Sequence, residues 1–128
     1  MMTLKNKVEI IVPKYDNEGA EISSPVIKSE INIMTKLAGG NTITEVKGQW
    51  YSDDTESVMQ DDNLNIEWYY DKDMEDAQSF VLGLSVITRV LILQYHQEAV
   101  SVKIDGVLYI VNADDLYKLS GTFDNLMF

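Results

Sequence analysis

The sequence predicts an α+β domain: a ferredoxin-like βαββαβ sheet with two long helices on one face, plus a C-terminal β-hairpin strand and a short helix. Three observations carry that expectation. Residues 79–95 are the longest apolar run, with Phe80, Leu84, Ile87, Leu91 and Tyr95 recurring on one helix face. Residues 25–38 repeat Ile27, Ile31, Met34 and Ala38 at the same period, an amphipathic helix one face wide. Stretches at 7–13, 41–51, 64–70, 99–104 and 107–112 alternate with the period of two that marks strands.

In chain order, Val8, Ile10 and Val12 define the first strand, which Pro13 stops. A polar loop follows, with turn chemistry in Asp16-Asn17-Glu18-Gly19. Ser24-Pro25 reads as an N-cap with proline at the first helical position, and Gly39-Gly40 ends that helix. In the second strand Gly48 predicts a bulge or a close backbone approach, with Trp50 on its face. An acidic loop is expected at 52–63, and then a third strand of Leu64, Ile66, Trp68 and Tyr70 pairing antiparallel with the second. The acids at 73–76 open the apolar helix, where negative charge suits the helix dipole. Asp105-Gly106 joins the last two strands as a type I′ hairpin turn. Asn112 caps a short helix at 113–119 with Gly121 beyond its end, and residues 120–128 form an apolar tail with no regular pattern.

Length and composition fit one domain spanning 1–128, large enough for a core without staples. There are no cysteines, which excludes disulfides and thiolate metal sites. The first residues carry no apolar signal segment and the run around Leu84 is broken by Arg89, so a soluble cytoplasmic protein that does not span a membrane is expected. The formal charge of −11 is concentrated: residues 53–76 hold ten acids against the single base Lys72. Such a field repels phosphates, so no direct nucleic-acid partner is expected. Asp71, Asp73 and Glu75 begin like a calcium loop, but Asp76 stands where glycine is needed and Leu82 where glutamate is needed. No metal and no other cofactor is therefore expected.

Gly39-Gly40-Asn41-Thr42, Gly48-Gln49-Trp50 and Gln97-Glu98-Ala99-Val100 resemble the Gly-Gly-x-Thr, Gly-x-Trp and Gln-Glu-x-Val pattern of a family of small bacterial and phage proteins on a compact α+β domain. The resemblance covers most of residues 7–111. It implies a phage or mobile-element setting and no particular reaction.

Three functions fit these residues, in descending order. The first is a non-catalytic phage-type binding protein, a homodimer or larger homo-oligomer. It inhibits a host defence or nucleic-acid-handling protein, with Asp53, Asp54, Glu56, Asp61 and Asp62 meeting a basic surface. The second is a sponge for a nucleotide-type signal held in a pocket between subunits. There Trp50, Trp68 or Tyr69 stacks a base, with Lys47, Arg89 and His96 as further ligand-binding candidates. The third is an enzyme built on His96, the one histidine, with carboxylates. With no phosphate loop, no nucleophile motif and no residue assigned as catalytic, the expectation is that the protein is not an enzyme.

Overall fold

The computed structural model of the chain describes residues 1–128. Five strands and three helices follow the chain as β1 (Asn6–Pro13), α1 (Pro25–Ala38), β2 (Thr42–Ser52), β3 (Ser57–Tyr70), α2 (Ala77–Leu93), β4 (Ala99–Ile104), β5 (Val107–Asn112) and α3 (Leu119–Met127), with a short 3-10 helix, Ala113–Lys118, before α3. The α+β class expected from the sequence is the class observed.

The strands form one sheet in the order β2-β3-β1-β4-β5, and every neighbouring pair is antiparallel. Register explains which side is buried. Val8 stands between Trp68 and Ile104, Ile10 between Ile66 and Val102, and Val12 opposite Leu64, so one face of the three central strands is apolar. The next parity places Lys7 opposite Tyr69 and Glu9 between Glu67 and Lys103, a polar face that no helix covers.

All three helices lie on the apolar side. Ser24 caps α1 by accepting the Ile27 N–H, Pro25 occupies its first turn, and Gly39 ends it at φ 98°, the left-handed region open to glycine. Phe80, Leu84, Ile87 and Leu91 of α2 have no solvent exposure. The hydroxyls of Ser85 and Thr88, buried on the same helix, return to the carbonyls of Val81 and Leu84. α2 and α1 meet at Gly83, where a Cβ would stand 2.6 Å from Met34 Cγ. Phe123 and Met127 of α3 complete the core, and Tyr70 Oη donates to the Met127 carbonyl at 3.0 Å.

Several expectations are corrected. The acidic stretch at 52–63 is not a loop: β2 and β3 pair without interruption from Thr42 opposite Glu67 to Ser52 opposite Ser57, and only residues 53–56 form the turn. The acids before α2 are not in its first turn; Asp76 is the cap, in left-handed conformation at φ 55°, and accepts the Ser79 N–H. Residues 120–128 are no irregular tail, because Leu119, Phe123 and Met127 make a helical ridge docked on the chain's own core. Gly121 lies inside that helix instead of beyond one. No helix is long and apolar enough to cross a membrane.

Candidate functional site

A broad groove follows from where strands stop. Pro13 has no N–H for a ladder and ends β1, while the neighbouring β3 continues past it, paired with β2 as a hairpin for several more residues. β4 begins only at Ala99. A groove of about 710 Å³ lies in the resulting gap, between the hairpin and the start of β4, where the uncovered sheet face ends. Trp50, Gln60, Asp61, Asp62 and Asn63 line it from the hairpin, Pro13, Tyr15, Asp16 and Asn17 from the end of β1, and Gln97, Glu98 and Ala99 from the α2–β4 connection.

Each wall is fixed by local chemistry. Trp50 is half-exposed, and its indole N–H donates to Asp61 Oδ2 at 3.0 Å, which holds the ring over the strand. Asp16 Oδ1 accepts from the N–H groups of Glu18 and Ala20, both at 2.9 Å, and so closes the loop that presents Asn17. Asn17 Nδ2 in turn donates to the His96 carbonyl at 3.1 Å, and Gln97 Nε2 donates to Asn17 Oδ1 at 3.4 Å. His96 itself takes the left-handed conformation at φ 54°, which turns the chain out of α2 and brings the Gln97 N–H to the Leu91 carbonyl. The groove therefore has two lips, one before α1 and one after α2, joined by a single asparagine.

Charge in the groove is one-sided. Asp16, Asp61, Asp62 and Glu98 line it, and none of the lining residues is basic. Lys14, just outside, is committed elsewhere: it pairs with Glu45, and that hydrogen bond raises the lysine pKa and lowers the glutamate's. The site suits a cationic or neutral ligand with a flat ring and repels phosphates.

Of the residues singled out from the sequence, the structure brings Trp50, Asp61 and Asp62 together in this groove. Asp53, Asp54 and Glu56 sit at the hairpin tip. Lys47 is exposed on the hairpin opposite Asp62, outside the groove lining. Trp68 is wholly in the core, donating to Thr35 Oγ1 at 3.0 Å, so no ring face is left for a ligand. Tyr69 lies on the open sheet face beneath Lys7 at the far end of β3. Arg89 is held by the Leu116 carbonyl, and the His96 side chain is exposed and outside the lining. Asp16, Asn17, Asn63, Gln97 and Glu98 are among the groove residues that the sequence reading missed. The signal for two of them was present, since Gln97-Glu98 and Trp50 belong to separate motifs that the fold brings to one cavity.

The protein defined by this geometry is a one-sided α+β sheet with a phosphate-repelling groove at the edge of its bare face. No protein-family model and no curated protein matches the sequence. Among solved structures, the chain is similar to a phage SAM lyase in complex with S-methyl-5′-thioadenosine, at a TM-score of 0.58 and 17% identity over 89% of this chain and 96% of that one. It is also similar to a phage SAM lyase in the apo state, at a TM-score of 0.53 and 16% identity over 89% and 97% of the two chains.

These similarities overturn the leading expectation from the sequence. The structural neighbours are enzymes, and one holds a small nucleoside, so neither a non-catalytic chain nor an acidic inhibitor of a host protein is the reading that fits. The physical reason lies in β3. Its 14 residues place Asp53, Asp54 and Glu56 at one end and Asp71, Asp73, Glu75 and Asp76 at the other, roughly 45 Å apart at strand rise. Acids adjacent in sequence do not make one patch.

Proposed function

We propose that this protein binds S-adenosylmethionine (SAM) or a close adenosyl sulfonium in the groove beside Trp50 and cleaves it, leaving methylthioadenosine. The observation that carries the proposal is the nearly end-to-end similarity to a lyase chain that holds S-methyl-5′-thioadenosine. The groove supports it independently. A sulfonium and an α-ammonium are both positive, and Asp16, Asp61, Asp62 and Glu98 attract them, while Trp50 offers a ring face to adenine. The partner is thus a nucleoside cation in place of the phosphate-bearing signal considered from the sequence.

The chemistry asks little of the protein. When the carbon–sulfur bond breaks, its electron pair stays on sulfur, which leaves as a neutral thioether. The four-carbon fragment either closes on its own carboxylate or gives a proton to a groove carboxylate. Holding the substrate in the reactive conformation is then the main contribution. Loss of the positive charge on sulfur also weakens attraction to the carboxylates, which favours product release. A phage that lowers its host's SAM in this way has a use for so small an enzyme, in line with the phage setting implied by the sequence motifs.

The finer reading places the groove at a seam between copies. Ile11, Val46, Met59, Leu108 and Ile110 share the sheet face that no helix of the same chain covers, and a second copy is the occupant that buries them.

Incubating the pure protein with SAM and following nucleosides by mass spectrometry tests the central claim. Methylthioadenosine is expected to accumulate without S-adenosylhomocysteine, and Trp50→Ala is expected to raise KM by about tenfold or more through lost stacking. SAM that is neither bound nor consumed sinks the proposal, and SAM bound but unchanged removes its catalytic half.

A further inference from the structure

Asn63 is the one polar groove residue that is nine-tenths buried. Its carboxamide enters none of the side-chain hydrogen bonds within the protein, yet no polar side-chain atom is sealed away without a partner, so the amide opens into the groove. The opposite strand makes room for it. Gly48 has no left-handed backbone to require glycine and pairs with Asp61 in unbroken register, but a Cβ there would stand 3.2 Å from Asn63 Nδ2. The glycine expected to mark a bulge or a close approach marks the close approach, and what approaches is this side chain.

A nearly buried amide with both its donor and its acceptor free of protein partners and facing a groove is placed to exchange water for a ligand's polar edge. We propose that Asn63 is the specificity-determining residue of the groove. Nδ2 donates to a ring nitrogen and Oδ1 accepts from the exocyclic amine of adenine, the paired contact by which asparagine distinguishes that base. Trp50, two positions beyond Gly48 on the same strand face, lines the same groove and leans back to Asp61, two residues short of Asn63, which directs its ring toward the base that Asn63 would read along its edge. This inference rests on the nucleoside reading above.

Calorimetry with 5′-methylthioadenosine and 5′-methylthioinosine, in which a carbonyl replaces the amine, tests it on the intact chain. The unaltered protein is expected to prefer the adenine nucleoside by about tenfold or more, and Asn63→Ala to lose that preference. Gly48→Ala, which displaces the amide while leaving Asn63 in place, is expected to blunt the preference in the same direction. Where Asn63→Ala fails to fold, Asn63→Leu keeps the size and removes both donor and acceptor, with the same loss expected. Equal affinity of the unaltered protein for both nucleosides, or a preference that survives in these variants, overturns the assignment of Asn63 and leaves the nucleoside reading standing. Binding of neither nucleoside by the unaltered protein overturns both.

Discussion

Tyr70 shows how one side chain ties the sheet to the end of the chain. It has no solvent exposure, its hydroxyl donates to the Met127 carbonyl, and its ring stands 5.3 Å from those of Phe80 and Phe128. Burial, with a smaller contribution from Asp105, pushes its pKa up to about 12. An unfolded tyrosine ionises near 10, so between those values the folded chain binds more protons than the unfolded one. Tyr70 thus costs no stability below about pH 10, and stability falls as pH rises through the window, by on the order of 2 kcal/mol in all. Melting curves from about pH 8 to 12 are expected to show a shallower decline for Tyr70→Phe, which begins about 1 kcal/mol less stable for want of the hydrogen bond. Residues of this kind were only partly legible in the sequence. Leu64, Ile66, Trp68 and Tyr70 alternate with Asn65, Glu67 and Tyr69, which puts Tyr70 on the core parity as the pairing of Trp68 with Val8 bears out, but nothing in the sequence points its hydroxyl to Met127. Asn17 and Asn63 gave no signal, because a lone asparagine looks the same in a turn, a strand or a binding site.

Among the elements, α2 was the most legible, since an apolar run with that period has no alternative but a core. Its Gly83 carries a sharper consequence, because the side chain of Met34 fills the space a larger residue would need. Gly83→Val is expected to destabilise by about 1–3 kcal/mol through overpacking, measured by urea denaturation. The β2–β3 hairpin was read too short for a physical reason: Gln60, Asp61, Asp62 and Asn63 are poor strand formers, and they are held in the ladder by pairing with Gln49, Gly48, Lys47 and Val46. Gly121 concealed α3 similarly. The ridge of Leu119, Phe123 and Met127 was there to be seen, and burial of those three outweighs a cost of about 1 kcal/mol for glycine inside a helix.

At the scale of the whole molecule, charge opposes the proposed seam. A formal charge of −11 on 14.5 kDa drives copies apart, while in that proposal the uncovered sheet face draws them together. Salt weakens the first and leaves the second, so sedimentation is expected to show a larger share of oligomer as ionic strength rises. The double variant Leu108→Glu, Ile110→Glu is expected to stay monomeric, and an unaltered protein that sediments as a monomer even at about 0.5 M salt contradicts the seam. The class of the fold was visible from periodicity, whereas the groove was not, because three segments far apart in sequence build it. Its two lips are already tied through Asn17 to the His96 carbonyl and Gln97 before anything enters. An arriving molecule thus meets a cleft whose width folding has set, and little ordering entropy stands between encounter and a snug complex. Cutting that tie is expected to show first as slower capture and faster escape, with the melting temperature scarcely moved.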